Sequence, residues 1–128
     1  VRSMETVNCP FCSPKRDEIV VENGLCYARW DKFPVSDGHI LVIPFRHVRD
    51  IFGLNGKEWT ATFALVEECK RVIESKRTPD GYNIGWNVGI PAGQTIMHCH
   101  CHVIPRYEGD IENPTGGIRG VIPKKRIY

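Results

Sequence analysis

The sequence predicts an α+β domain built on an antiparallel sheet, and three observations carry that expectation. Only one stretch holds a helical period, strand candidates lie on both sides of it, and helices do not alternate with strands as in a repeated βαβ fold. The 128 residues suit a single domain with one core, taken here as 1–128. Apolar residues at 41% and charged residues at 25%, with 12 Gly and 9 Pro, exclude a disordered or fibrous chain.

Val1, Arg2 and Ser3 precede Met4 and read as residues added ahead of a native start. Leu25 to Trp30 and His39 to Ile43 are strand candidates joined by the turn-rich Pro34, Val35, Ser36, Asp37, Gly38. Asn55 followed by Glu58 resembles a capping box, so a helix starts here and runs over about 56–77 until Pro79 and Gly81. Trp59, Phe63, Val66, Cys69, Val72 and Ile73 recur at three- and four-residue steps and are expected on its inward face. Tyr82 to Val88 is a further strand, Gly89 to Gly93 a loop, and Gln94 to Ile104 alternates as a strand. From Tyr107 the glycines and Pro114 predict an irregular tail over 107–128.

A net charge of +2 is too balanced for a nucleic-acid groove, although Lys124, Lys125 and Arg126 form a small basic cluster. The longest apolar run, Ile40 to Ile43, is far below the roughly 20 residues of a membrane helix. Neither a nucleic-acid nor a membrane partner is therefore expected. Six Cys without a secretion signal point to a reducing compartment and a cytoplasmic location.

His98, His100 and His102 stand two apart, and on a strand their imidazoles would project from one face at about 6.7 Å intervals. A soft-metal store is one reading of His-Cys-His-Cys-His, but side chains split across two faces do not converge on one ion. A hydrogen-bonded polar strand face is another, although three imidazoles in register are unusual filler. The run from His98 through Ile104 resembles the His-x-His-x-His-x-x signature of the histidine triad (HIT) superfamily of nucleotide hydrolases and transferases. Gly38 to Pro44, Arg46-His47, Asn87, Ala92 to Thr95 and Ile104 to Arg106 match that family in order and spacing, over about residues 9–110. The tail Gly116 to Pro123 is similar to its bacterial branch, while Cys99 and Cys101 stand where other apolar residues are more usual.

The resemblance implies that His100 is a nucleophile, with His102 and His39 beside it to orient it or contact phosphate. An imidazole suits this role, since it attacks phosphorus near neutral pH and leaves afterwards, provided an acceptor fixes its tautomer. By the same resemblance Asn87, Gly93 and Thr95 contact phosphate and Asp31 accepts hydrogen bonds from a ribose. Read alone, Asp31 is a turn carboxylate ahead of Pro34. Arg106 fits either a substrate phosphate or a pairing with Asp110.

Cys9-Pro10-Phe11-Cys12 reads as a redox pair or a zinc half-site, and the strand-to-helix context of a redox motif is missing. Zinc-bearing members of the superfamily complete such a knuckle with two histidines, which here match His47 and His98. The implied zinc, on Cys9, Cys12, His47 and His98, is structural, because four protein ligands leave no position for water.

Together these readings predict a five-stranded antiparallel sheet with one long helix, paired by resemblance into a homodimer. They predict hydrolysis of dinucleoside polyphosphates or nucleoside phosphoramidates at the α-phosphorus through a nucleotidyl-histidine. A nucleotidyltransferase or phosphorylase remains an alternative, although such relatives often carry Gln in place of the third His. A DNA-end deadenylating enzyme would want a further module, and a non-catalytic nucleotide-binding protein would tolerate change at His100.

Overall fold

The structure is a computed structural model that describes residues 8–128, so the reading of residues 1–3 lies outside the described residues. Five strands form one antiparallel sheet: β1 (Val21–Glu22), β2 (Cys26–Trp30), β3 (Ile40–Pro44), β4 (Gly81–Gly85) and β5 (Cys101–Arg106). The spatial order is β1-β2-β3-β5-β4, which places β5 between β3 and β4 and leaves β1 and β4 at the edges. One helix, α1 (Gly56–Glu74), crosses one face of the sheet. The predicted α+β architecture is therefore present.

Side-chain alternation divides the strands between two jobs. Cys26, Ala28, Ile40, Val42, Cys101 and Val103 face α1 and close the main core with Leu65, Cys69 and Ile73. Tyr27, Leu41 and Ile43 face the other way and pack with Phe11 from the N-terminal loop. That second face carries the histidines.

Several boundaries differ from the sequence expectation. The helix begins as predicted, with Asn55 Oδ1 accepting from the Glu58 amide and Glu58 Oε1 accepting from the Asn55 amide, both at 2.9 Å. It ends at Glu74 rather than 77, and its buried side chains are Glu58, Thr62, Leu65, Cys69 and Ile73. Trp59 and Val72 are only half-buried and Phe63 is 56% exposed, because the inward stripe is rotated toward Thr62 and Leu65. The β4 strand ends at Gly85 instead of Val88. The two-residue β1 is too short to leave a period in the sequence. The tail is not wholly irregular, since Gly117–Val121 and Pro123–Lys125 are 3₁₀ turns.

The main correction concerns the histidine strand. Pairing starts at Cys101, so Gln94 to His100 is not strand. The side chain of Gln94 holds this segment away from the sheet: its Oε1 accepts from the Gly89 amide, while its Nε2 donates to the carbonyls of Arg49 and Ile96. Cys99 N–H donates to the Val48 carbonyl at 2.7 Å. As a result His98 and His100 are positioned by loop backbone rather than by strand pairing, although their rings lie against Phe11 on the same face as His102. No helix among the described residues is long and apolar enough to cross a membrane.

Candidate active site and metal cluster

The path of residues 94–100 separates the histidines into two groups. His98 is fully buried and joins Cys9, Cys12 and His47, whose ligand atoms all lie within 4.8 Å of one another. His47 Nδ1 and His98 Nδ1 are 3.1 Å apart, and Cys12 Sγ lies 3.1 Å from the first and 3.5 Å from the second. Cys9 Sγ is 3.4 Å from His98 Nδ1. Donors about 2.0–2.3 Å from a central ion in a tetrahedron stand at nearly these separations.

Proton placement, assigned from the hydrogen-bond network, tests the fit. A carbonyl only accepts, so the 2.8 Å contact between His98 Nε2 and the Pro44 oxygen puts the proton on Nε2 and leaves the Nδ1 lone pair facing the thiols. Burial pushes the His98 pKa down to about 4, with smaller contributions from His47 and His100. An uncharged ring with an oriented lone pair is what a metal requires. The cluster fits a metal, and its two thiols and two imidazoles suit zinc.

His100 is fixed through the same residue. Its Nδ1 lies 2.8 Å from the His98 carbonyl oxygen and therefore carries the proton, which leaves Nε2 with a lone pair. The ring lines a cavity of about 370 Å³ together with Asp31, Asn87, Gly93, Thr95 and His102. Gly93 has φ +99°, a backbone conformation that a side chain resists, and a Cβ there would lie 3.9 Å from Asn87 Nδ2. The left-handed backbone, rather than lack of space, is what favours glycine here.

His39 and His102 form a pair, with His39 Nε2 3.0 Å from His102 Nδ1. The Val35 amide donates to His39 Nδ1 at 3.2 Å, so the His39 proton is on Nε2 and points at His102 Nδ1. His102 then carries its own proton on Nε2. Burial drives the pKa of His102 down to about 4, helped by the neighbouring His100 and His39. Burial lowers that of His39 too, against the pull of Asp31. Asp31 Oδ2 is 3.4 Å from His39 Nε2, so Asp31, His39 and His102 are also grouped closely enough for a metal. The Val35 amide argues against one here: it keeps a hydrogen on the His39 nitrogen that would have to bind the ion.

The eleven candidate site and metal residues thus lie in two neighbouring groups, Cys9, Cys12, His47 and His98 in one and Asp31, His39, Asn87, Gly93, Thr95, His100 and His102 in the other. Asp31 also fills the turn role, its Oδ1 accepting from the Phe33 amide at 2.8 Å. Arg106 takes the structural option, pairing with Asp110 at 2.8 Å and donating to Asn83. Cys99 and Cys101 are buried away from the Cys-His cluster, Cys101 in the core facing α1 and Cys99 against Val48 and Leu54, and burial pushes both thiols up to about 12. Pro10 and Phe11 were not anticipated in the cavity wall. The signal for them was their place inside Cys-x-x-Cys: anchoring both cysteines near His98 carries Phe11 to within 5.2 Å of the His100 ring, centroid to centroid.

One antiparallel sheet presenting a carbonyl-braced imidazole to a cavity, with a thiol-imidazole cluster behind it, defines a histidine-centred α+β protein. The family profile described as HIT domain matches residues 13–109, beginning just after Cys12. The chain belongs to the HIT family. It is 35% identical over 118 residues to an AP-4-A phosphorylase of Mycobacterium tuberculosis, covering 90% of this chain and 60% of that protein. It is 42% identical over 77 residues to an asymmetrical bis(5'-nucleosyl)-tetraphosphatase of Schizosaccharomyces pombe, covering 60% of this chain and 42% of that protein. Among solved structures, a zinc-bound histidine triad family protein from Mycobacterium smegmatis superposes with a TM-score of 0.71 at 31% identity, covering 80% of this chain and 78% of the other.

The donor set predicts that elemental analysis finds about one metal ion per purified chain, and that Cys9→Ser lowers both this ratio and the melting temperature, because metal binding contributes to folding free energy. A metal-free wild type, with Cys9→Ser equally stable, would overturn the assignment.

Proposed function

We propose that this chain is a nucleotide hydrolase acting at the α-phosphorus of dinucleoside polyphosphates or nucleoside phosphoramidates. The observation that carries this reading is the tautomer of His100: the His98 carbonyl holds its Nδ1–H and leaves the Nε2 lone pair for attack. Nε2 bonds to the α-phosphorus as the bond to the leaving polyphosphate or amine breaks, the leaving atom keeping the bonding pair and an amine also taking the His102 Nε2 proton. Water then attacks the phosphorus of the nucleotidyl-histidine and gives up a proton, to solvent or back to His102 in the amine case, the P–N bond breaks, and a nucleoside monophosphate departs with the lone pair returned to Nε2.

In this reading the Asn87 amide, the Thr95 hydroxyl and the backbone at Gly93 donate to non-bridging phosphate oxygens as charge develops. His102 offers its Nε2–H beside them, with its orientation set by His39. Asp31 accepts from the ribose hydroxyls through the carboxylate that its turn already orients. Zinc is the metal assigned to the cluster, in a structural role. It would hold the N-terminal loop against the segment that carries His98.

The similarity to an AP-4-A phosphorylase favours a second reading, in which inorganic phosphate rather than water receives the nucleotidyl group. Products formed in the presence of phosphate decide between them: a hydrolase gives the nucleoside monophosphate, a phosphorylase the diphosphate. For either reading, His100→Ala should lower turnover by roughly 10³-fold or more while leaving nucleotide affinity within about tenfold. Wild-type protein quenched in turnover should carry one acid-labile nucleotidyl group on the peptide spanning residues 98–102. Wild-type turnover by His100→Ala would make the site a binding surface.

Asp31→Ala should raise KM for a ribonucleotide more than for its 2'-deoxy counterpart, since the lost partner is a sugar hydroxyl. Equal effects on the two sugars would return Asp31 to its turn role alone. We further propose a homodimer. β4 is an edge strand with Ile84 47% exposed, and Trp59 stacks on the exposed Phe63 at 5.7 Å, which supplies apolar surface for a self-complementary contact. Sedimentation at micromolar concentration should give twice the chain mass, and a single-chain mass would reject the pairing.

A further inference from the structure

Cys9 and Cys12 meet in one cluster, with their Sγ atoms within 4.8 Å of each other. Both are half-buried, whereas Cys26, Cys69, Cys99 and Cys101 are at most 2% exposed, so this pair alone of the six thiols is accessible to a solute. The pair opens no helix, since the next element is a 3₁₀ turn at Arg16–Glu18, and it lacks the setting of an oxidoreductase. Its setting is two imidazoles on one side and the cavity of His100 on the other. Pro10 and Phe11, the two residues between the sulfurs, both line that cavity. A bond drawn between the sulfurs therefore acts on the cavity wall.

We propose that Cys9 and Cys12 are an oxidative modification site, at which a peroxide joins the two sulfurs in a disulfide, expels the metal and resets the Phe11 wall of the cavity, an inference that rests on the metal assignment and the nucleotide reading above. The sulfurs need to approach by less than about 3 Å to reach a bond length of about 2.05 Å. One sulfur, deprotonated as a metal ligand must be, attacks an oxygen of hydrogen peroxide; the O–O bond breaks, and the departing hydroxide takes a proton from solvent to leave as water. The second sulfur attacks the sulfenic sulfur so formed, the S–O bond breaks, and a second hydroxide takes a proton and leaves as water. Two electrons thus pass from the sulfurs to the peroxide. The metal ion returns to solvent, because disulfide sulfurs carry no charge and His47 and His98 alone do not complete a tetrahedron.

The loop that carries the pair is also held to the sheet by bonds that contain no sulfur. Tyr27 Oη donates to the Phe11 carbonyl at 2.8 Å. Arg29 Nη1 donates to the Pro10 carbonyl at 3.3 Å, while its Nη2 donates to Glu18 Oε2 at 2.7 Å. His98 likewise keeps its bond to the Pro44 carbonyl, and His100 its bond to the His98 carbonyl. Departure of the metal therefore leaves the loop docked and the candidate nucleophile braced, so the device is reversible. Phe11 bears the change, because its ring stands 5.2 Å from that of His100 and the chain on either side of it is drawn inward.

The test treats purified protein with hydrogen peroxide and reads three quantities: metal released to a chromogenic chelator, disulfide position by peptide mapping, and affinity for adenosine 5'-monophosphate by calorimetry. Metal should be released in step with a disulfide that maps to Cys9 and Cys12. Affinity should fall by roughly three- to tenfold, the scale of a lost aromatic contact, and dithiothreitol with added zinc should restore it. Cys12→His keeps a metal-binding side chain but has no second sulfur, so peroxide should change neither its metal content nor its affinity; should that variant not fold, the wild-type mapping and its reversal decide. Metal retained with both thiols intact, a disulfide elsewhere, or unaltered affinity once the Cys9–Cys12 bond has formed would overturn the proposal. The parent readings are judged before peroxide is added. Protein without metal loses the metal assignment and protein that does not bind the nucleotide loses the nucleotide reading, each leaving the mapped disulfide to decide the modification site.

Discussion

The bond from His98 Nε2 to the Pro44 carbonyl determines much of what the site can be. It selects the tautomer in which Nδ1 faces the thiols, and so leaves a buried histidine with a lone pair aimed where a metal could sit. The same residue presents its own carbonyl to His100 Nδ1 and selects the opposite role for that ring, proton inward and lone pair at Nε2. One residue therefore faces two ways, its ring toward the metal cluster and its main chain toward the candidate nucleophile. Pro44 suits the first bond because it ends β3 with its carbonyl available, directly across the sheet from Cys26.

His39 illustrates the converse logic. Both His39 and His98 are buried imidazoles with lowered pKa values and neighbouring ligand-type atoms. A carbonyl acceptor on one and an amide donor on the other separate them into a ring whose lone pair faces the thiols and a ring whose N–H faces His102. Residue types and spacing could not make that distinction, because the deciding partners, Pro44 O and Val35 N–H, are main-chain atoms.

Local signals in the sequence were legible where a side chain bonds to its near neighbours or a period is sustained. The Asn55–Glu58 box marks the start of α1, and the alternation read over Gln94 to Ile104 overlaps β5 from Cys101. The same alternation was misleading over Gln94 to His100, where three hydrogen bonds from one buried amide outweigh strand pairing. The stripe on α1 was misplaced because Thr62 is polar by composition yet is buried, bonding the Glu58 carbonyl at 2.8 Å, while aromatic Phe63 faces outward. The candidate site residues were drawn from a family resemblance, and folding brings them into two neighbouring groups. A second cavity, lined by β4, β5 and the tail, left no trace in the sequence, since its walls come from segments far apart in the chain and joined only by folding.

The tail has a consequence for how such a protein diversifies. Its guanidinium-to-carbonyl braces, from Arg119 and Arg126, are internal, and its contacts with β4 are few, so substitutions at Ile118 or Val121 leave the main core, the Cys-His cluster and the His100 brace untouched. Lineages that inherit this sheet can drift in the last dozen residues at little risk to folding. Selection can then reshape the second cavity without disturbing the sheet that carries the histidines.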